Sequence, residues 1–238
     1  MTASERNMIS VEIILPSREN IYKTGDDDPS DYYYRPTTGA VYRQRLRAAA
    51  QLLGGRKFGR LLEIGYGSGV FLPELSRHCT ELYGVDIHSK VDLVQKTLEK
   101  ERVAAQLSVG DVRALEFPDG MFDAVVCVSV LEHIRELDLA TGEIARVTGD
   151  SGIVVLGFPV RNVITNAFYR VAGYDPMELH PSSHREILKA LSASLKIDAY
   201  ASFPRFLPMD YSLYVTCRCV KCNSKSGREI KDERLSPL

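Results

Sequence analysis

The apolar positions of this chain change their spacing in a regular way between residues 39 and 159. Short runs such as Val125–Val128 are apolar at every position, which is typical of a strand buried on both faces of a parallel sheet. Between such runs, apolar residues recur at helical spacing, as at Val91, Val94 and Leu98. This alternation predicts an α/β fold with a doubly wound, mostly parallel sheet.

The same patterns set approximate bounds for the elements. Strands are predicted at Arg60–Ile64, Glu81–Val85, Gln106–Val109, Phe122–Val128 and Gly152–Gly157. Helices are predicted at residues 39–53, 69–78, 91–101, 137–147, 162–172 and 184–195. Two further apolar stretches, Lys196–Phe203 and Tyr211–Cys219, are separated by a proline-containing loop, and we expect them to form an antiparallel edge hairpin.

Length and composition favour one large domain with attached segments. The chain has 238 residues, of which 45% are hydrophobic and 26% are charged, and this is enough to bury a sizeable core. We expect an N-terminal segment at 1–38 that is a candidate lid, a main domain at 39–222 with a cap insertion at about 160–195, and a polar, disordered tail at 223–238.

Charge and cysteine content narrow the class of protein. The 30 basic and 31 acidic residues give a net charge of -1, so bulk charge indicates no nucleic-acid partner. No apolar run approaches the roughly 18 residues of a membrane-spanning helix, and Met1–Arg6 lacks the pattern of a signal peptide. Five scattered cysteines disfavour a disulfide framework and predict a cytoplasmic protein. The oligomeric state stays open.

A glycine-rich turn directly follows the first predicted strand. Leu61–Ile64 runs into Gly65-Tyr66-Gly67-Ser68-Gly69, at the carboxyl end of a strand, where open α/β sheets bind their ligands. A dinucleotide site requires G-x-G-x-x-G, but the third glycine position holds Val70. A phosphate-binding P-loop requires a lysine that this turn lacks. The turn therefore favours a ligand that is neither a dinucleotide nor a nucleoside triphosphate.

The stretch Glu63–Gly69 resembles the first motif, E/D-x-G-x-G-x-G, of class I S-adenosylmethionine-dependent methyltransferases. The likeness covers about Arg60–Pro159, and it implies a seven-stranded Rossmann-like sheet with S-adenosylmethionine as the cofactor. It also implies that Gly65, Gly67 and Gly69 pass under the methionine and ribose parts of the cofactor, and that Glu63 organises the loop. Tyr66 occupies a variable position of the same cofactor-binding motif.

Three later strand ends resemble further motifs of that family. The resemblance implies that Asp86 binds the ribose hydroxyls and Ile87 packs on the adenine. It also implies that Asp111 contacts the adenine amino group beside Val112, and that Ser129 lines the site at the end of the fourth strand. The subgroup most similar to this chain methylates small molecules such as quinone precursors, sterols and sugars.

Two histidines are candidates for acting on the methyl acceptor. His133 follows the fourth strand and is either a general base or, with Glu132, a solvent-facing residue at the start of the next helix. His180 precedes a capped helix in the cap insertion and is either a second base or a turn residue. His184 is expected to be an exposed residue of the helix start.

Two other clusters have both a structural and a functional interpretation. Tyr32–Arg35 is either a packed arm or a cover for the cofactor, with Arg35 pairing with its carboxylate. Cys217, Cys219 and Cys222 lack the fourth ligand of a structural zinc site, so we expect buried thiols and no metal site.

We therefore expect a methyltransferase that acts on a small-molecule acceptor through oxygen, nitrogen or carbon. The sequence also allows a module that binds the cofactor or its product without transferring a methyl group. A nicotinamide-dependent reductase is disfavoured by Val70.

Overall fold

The computed structural model describes residues 12–25, 28–163, 165–166 and 180–222. Their strands form one seven-stranded sheet in the order β3-β2-β1-β4-β5-β7-β6, in which β1 to β5 are parallel and β7 runs antiparallel to both neighbours. The strands are β1 (Phe58–Ile64), β2 (Cys79–Asp86), β3 (Gln106–Val109), β4 (Phe122–Val128), β5 (Thr148–Pro159), β6 (Leu195–Phe203) and β7 (Tyr214–Lys221).

Helices cover both faces of the sheet, as the doubly wound prediction requires. They are α1 (Gly39–Leu53), α2 (Leu72–Ser76), α3 (Val91–Glu101), α4 (Leu137–Val147) and α5 (His184–Leu191), and a short 3-10 helix (Leu131–His133) follows β4. On β4, Val125 and Cys127 belong to the core under α4 and α5, whereas Val126 belongs to the core under α1 to α3. The run that is apolar at every position is therefore buried from both sides.

Several predicted bounds agree with the structure, and two helices differ from them. The predicted fourth strand and the helix at Leu137–Val147 are correct. The helix after the glycine turn begins only at Leu72, because Gly69 is in a left-handed conformation and Pro73 suits a helix start. The last helix ends at Leu191 because Leu195 already begins β6.

The predicted antiparallel edge hairpin is confirmed, with β6 as its outer strand and β7 as its inner strand next to β5. Both faces of β7 are buried, with Val215 and Cys217 on one side and Thr216 on the other. The edge strand is β6, where Lys196 and Asp198 are exposed, as is common for strands that must not pair further.

Residues 12–25 and 28–38, which we call the N-terminal strap, run across α2 and α3 towards the glycine turn. Backbone amides of the strap donate to side chains of those helices, from Ile14 to Glu74 at 2.8 Å and from Ser17 to Glu101 at 2.9 Å. α1 begins at Gly39, and the predicted division of the chain into domains stays a prediction. Most of the predicted helix at 162–172 and the tail at 223–238 lie outside the described residues. In the described part of the chain, no helix is long and apolar enough to cross a membrane.

Candidate functional site

The glycine turn is a left-handed backbone segment at the end of β1. Gly65, Gly67 and Gly69 have φ values of 78°, 51° and 78°, a region that favours glycine. A Cβ at Gly65 would clash with the side chain of Val130, whereas a Cβ at Gly67 would meet nothing within 4 Å. Gly65 is therefore required by packing, and Gly67 leaves open space in which a ligand can approach the backbone.

Asp86 ends β2 beside that open space. Its Oδ2 accepts a hydrogen bond from the amide of Gly67 at 2.7 Å, and its Oδ1 accepts from the amide of His88 at 3.2 Å. A carboxylate offers about four acceptor positions, so two remain for other donors. The neighbouring Ile87 is 72% exposed, which leaves its side chain available to a flat apolar group.

His88 is part of the turn's support, although the sequence analysis missed it. Its Nε2 lies 2.8 Å from the carbonyl oxygen of Gly67, and its Nδ1 accepts from the amide of Lys90 at 3.1 Å. Its ring also packs edge-on against Tyr66, whose pKa is raised to about 12 by burial and by Asp86. The sequence offered one signal for His88, namely its position two residues after Asp86, the acid that ends β2.

Asp111 and Val112 lie just after β3, where the resemblance places the adenine contacts. Arg113 donates to the Asp111 carboxylate from its side chain at 2.6 Å and from its amide at 2.9 Å. Hydrogen bonds from this guanidinium hold the pKa of Asp111 below its usual range. Val112 is buried in the core next to Leu115. The predicted roles of both residues towards adenine stay predictions.

Glu63 is a buried carboxyl group behind the turn. Its side chain is 4% exposed, and its Oε2 has no hydrogen-bond partner among the residues that the structure describes. Burial raises its pKa well above the usual value, and the negative charge of Asp86 adds to this. An unsatisfied buried carboxyl group is costly, so this oxygen is suited to a donor or cation that a ligand would bring.

Arg45 on α1 is the main residue of the site that the sequence analysis missed. Its guanidinium carbon lies 4.0 Å from the ring centroid of Tyr42 and 5.4 Å from that of Tyr214. One nitrogen donates to Ser129 Oγ at 3.2 Å, while Nε is buried without a partner. Within the described ranges Arg45 forms no salt bridge, and the carboxyl group that acts on this partly buried cation is that of Glu132, whose pKa the Arg45 charge lowers. The sequence offered one signal for Arg45. It lies about one helical turn before the buried Ala49 and therefore on the same side of α1.

Arg45 and Glu63 both act on Tyr33, whose ring centroid lies 5.9 Å from the Arg45 guanidinium carbon. Burial raises the pKa of the Tyr33 phenol, Glu63 raises it further, and the positive charge of Arg45 lowers it. Both charges therefore act on one buried hydroxyl group. A partly buried cation and a buried carboxyl group at the same end of the sheet form a pair of sites for a ligand with opposite charges at short separation.

Ser129 ends β4 in a conformation that is unusual for a residue with a side chain. Its φ is 60°, its amide donates to the carbonyl of Gly157 at 2.7 Å, and its Oγ lies 2.8 Å from the Tyr214 hydroxyl. Left-handed non-glycine residues often mark functional sites, because the surrounding contacts must hold them there.

His133 and His180 come together, as their shared candidate role requires. Their ring centroids are 5.1 Å apart, with His133 exposed and His180 partly buried. Burial, together with the nearby charges of His133 and Arg161, lowers the pKa of His180 to about 4. His180 is therefore uncharged at neutral pH, and no finding here tests whether either histidine is catalytic.

The structure excludes a solvent-facing Glu132, which was one of two open alternatives, and it contradicts the expected exposure of His184. Glu132 is 2% exposed instead of facing solvent, because the segment before α5 covers it and the Ser182 amide donates to its carbonyl at 3.2 Å. Burial raises the pKa of the Glu132 carboxyl to about 8. His184 is 3% exposed, since its ring accepts from the Arg161 amide at 3.2 Å and lies 3.0 Å from Asp210 Oδ1.

The two remaining clusters have mainly structural contacts. The Arg35 guanidinium lies 4.7 Å from the ring centroid of Tyr32, which fits the packed-arm interpretation. All five cysteines lie in described parts of the chain and are free thiols, with Cys217 and Cys219 buried and Cys222 exposed.

A comparison with known protein families finds a match that includes the glycine turn. Residues 62–156, from β1 to β5, match the family model described as a methyltransferase domain. This part of the chain is similar to a methyltransferase domain. The predicted resemblance to methyltransferases and the predicted doubly wound sheet are confirmed, and the glycine turn, Asp86, Asp111 and Ser129 all lie within the matched residues.

Curated proteins that match part of this chain include enzymes named for different methyl acceptors. The chain is 31% identical over 121 residues to ubiquinone biosynthesis O-methyltransferase from Alkalilimnicola ehrlichii, covering 50% of this chain and 49% of that protein. It is 33% identical over 115 residues to phosphatidylethanolamine N-methyltransferase from Cereibacter sphaeroides, covering 47% and 55%. The chain thus spans about half the length of the curated relatives it matches.

A solved structure has the same fold over most of the chain. The N-methyltransferase NodS from Bradyrhizobium japonicum, in complex with S-adenosyl-L-homocysteine, superposes with a TM-score of 0.61. It covers 84% of this chain and 94% of its own length at 18% identity. At that identity, the likeness demonstrates the fold alone.

Proposed function

We propose that this protein transfers a methyl group from S-adenosylmethionine to a small-molecule acceptor. The observation that carries the proposal is the open space at Gly67, beside Asp86 at the adjoining ends of β1 and β2. The methyltransferase-domain match and the acceptors in the relatives' names support it.

The residues at the end of the sheet fit the chemical groups of this cofactor. The methionine part carries a carboxylate and an ammonium group, which suit the Arg45 guanidinium and the unpartnered Glu63 carboxyl. Asp86 has acceptor positions for two neighbouring ribose hydroxyls. Ile87, Asp111 and Val112 would then border the adenine, next to the turn formed by Gly65, Tyr66, Gly67 and Gly69.

The acceptor would bind at the end of β4, between Ser129 and the two histidines. A bound S-adenosylmethionine supplies an activated methyl group, so the protein's main tasks are to align the acceptor and exclude water. For an acceptor with an ionisable hydroxyl group, we propose that His133 and His180 assist the loss of its proton. The cap insertion at about 160–195, which supplies His180, and the N-terminal strap would cover the site. Asp28 of the strap accepts a hydrogen bond from Ser68 Oγ of the glycine turn at 3.2 Å.

The proposed location is the cytoplasm, where thiols stay reduced. The five free cysteines support it.

Calorimetry with S-adenosylmethionine and S-adenosylhomocysteine tests the cofactor directly. We expect one binding site per chain, and an Asp86→Asn variant that binds about tenfold more weakly, since each lost hydrogen bond to a charged group is worth roughly 1.5–3 kcal/mol. Asp150→Asn is the matched control, because that carboxylate is 99% exposed and lies away from the turn. No binding of either compound at millimolar concentration would refute the proposal.

Turnover separates transfer from mere binding. We test a panel of phenols, amines and enols as acceptors. With a true acceptor, the rate of S-adenosylhomocysteine release should exceed the rate measured without any acceptor. Normal cofactor binding with no acceptor-dependent release would instead favour a non-catalytic module, and fluorescence of added NADH that changes on mixing would favour a reductase.

A further inference from the structure

Three side chains with metal-binding atoms meet at the acceptor end of β4. Glu132 and His133 lie on the 3-10 helix that follows β4, and His180 lies just before α5. The carboxylate oxygen and the two imidazole nitrogens that face one another all lie within 4.8 Å. The cluster thus combines two segments that are distant in sequence, and it is not a by-product of one local turn.

One oxygen of the Glu132 carboxyl group lacks a hydrogen-bond partner among the described residues. Glu132 is 2% exposed, and its Oε2 has no hydrogen-bond partner within residues 12–25, 28–163, 165–166 and 180–222. Buried polar atoms are nearly always paired, so an unpartnered carboxylate oxygen beside two imidazoles is an observation that itself indicates a missing ligand. A cation would satisfy it.

We propose that Glu132, His133 and His180 bind one divalent transition-metal ion, of the class of Zn²⁺, Mn²⁺ or Co²⁺. Two imidazoles with one carboxylate suit these ions, whereas Mg²⁺ and Ca²⁺ prefer sites made of oxygen ligands. Ligand atoms that surround such an ion at its usual bond lengths lie about 3 Å apart. The present spacing is up to 4.8 Å, so His133 and His180 would have to move closer to Glu132 when the ion binds.

Three protein ligands leave coordination positions open, as in catalytic metal sites. The cluster directly follows Val130, which packs on Gly65 of the glycine turn, so these positions face the place where the methyl group would arrive. This part of the inference depends on the proposed methyl transfer. It assigns the acceptor to compounds with a phenol or enol hydroxyl group, whose oxygen would bind the ion.

The bound ion would act as a Lewis acid that ionises this hydroxyl. The acceptor O–H bond breaks and its proton passes to water. The C–O bond then forms as the C–S bond breaks, and the electron pair of that bond stays on sulfur in the neutral thioether product. The two histidines would then assist proton loss through the ion, as its ligands.

Metal titration of the full chain after treatment with a chelator tests the site without any turnover. In calorimetry with ZnCl₂ or MnCl₂ we expect one ion per chain. Glu132→Gln and His180→Asn should each weaken binding by at least about tenfold, since even outer-shell partners of metal ligands are worth that much. His78→Asn and Cys222→Ser are matched controls that remove another histidine and the exposed thiol, and both should bind as the wild type does.

Two further readouts keep the test decisive. If Glu132→Gln fails to fold by circular dichroism, the visible absorption of bound Co²⁺ in the wild type and in His180→Asn reports whether imidazole ligates the ion. Absence of stoichiometric binding in the wild type, or binding that survives in His180→Asn, would overturn the inference. S-adenosylhomocysteine binding to the metal-free protein is measured in parallel, so a failed metal site and a failed cofactor site give different results.

Discussion

The two ends of the proposed reaction are built in different ways. The cofactor end uses residues that directly follow consecutive strands, namely the glycine turn after β1 and Asp86 at the end of β2. The acceptor end combines Ser129 after β4, His180 before α5 and Tyr214 from β7. The first depends on local backbone shape and the second on the packing of the whole sheet, so substitutions should affect them differently.

The largest effect is expected from Gly65→Ala. Its left-handed φ costs an alanine about 1–2 kcal/mol, and the clash with Val130 adds a further overpacking cost of about 1–3 kcal/mol. Denaturant unfolding should show the free energy of unfolding reduced by about 3 kcal/mol. Gly67→Ala, which meets no atom within 4 Å, should lose only about 1 kcal/mol but should weaken cofactor binding. Equal destabilisation by the two variants would contradict the assignment of Gly65 to packing and of Gly67 to ligand binding.

Arg45→Lys is expected to have the next largest effect. A lysine keeps the charge but loses the planar group that lies against Tyr42 and reaches Ser129. Calorimetry should show S-adenosylmethionine binding weakened by about 10- to 100-fold, which corresponds to the roughly 1.5–3 kcal/mol of a hydrogen bond to a charged group. Arg56→Lys, at an exposed position beyond α1, should leave the affinity unchanged, and unchanged affinity in Arg45→Lys would exclude Arg45 from the cofactor site.

Glu63→Gln should change stability and binding in opposite directions. The folded-state pKa of Glu63 is raised, so its carboxyl costs nothing below the unfolded pKa of about 4.3, and the cost grows as the pH rises from there towards the folded pKa. Unfolding at a series of pH values should therefore show a variant that gains stability over the wild type as the pH increases above about 4. Its affinity for S-adenosylmethionine should fall, because the neutral amide of glutamine cannot form an ion pair with the ammonium group. A stability difference that is independent of pH would contradict the assignment.

The smallest effect is expected from Asp111→Asn. Arg113 already occupies this carboxylate, so the asparagine should reduce cofactor affinity by no more than about threefold, well below 1 kcal/mol. Its contribution to stability should disappear as the pH falls through its lowered folded pKa, since the ionised form is the one that Arg113 holds. A cofactor affinity as low as that of Asp86→Asn would show that Asp111 binds adenine directly.

Sequence patterns were most informative where the structure depends on residues that are close together in the sequence. The glycine turn, Asp86 and the strand at Phe122–Val128 could be predicted because their signals are local. Arg45 could not, since a cation within an amphipathic helix is usually solvated, and the ring of Tyr214 that lies near its guanidinium group comes from β7, which is distant in sequence.

The burial of Glu132 and His184 has the same physical origin. Both residues are polar and lie at helix starts, where exposure is the usual outcome. Glu132 is covered by the segment before α5, and His184 bonds to Arg161 and Asp210. The roles of His133 and His180 also depend on contact between distant segments, so the sequence could mark each histidine but could not pair them.

The interior position of β7 has a consequence for the order in which this protein can fold during synthesis. Until residues 214–221 leave the ribosome, the β5 edge that they will cover presents unpaired amide and carbonyl groups, and such an edge is a template for pairing with another chain. The hydroxyl of Tyr214 that contacts Ser129 arrives with the same strand. A nascent chain can therefore hold a finished glycine turn for many residues while the acceptor end is still missing and its sheet is most prone to aggregate.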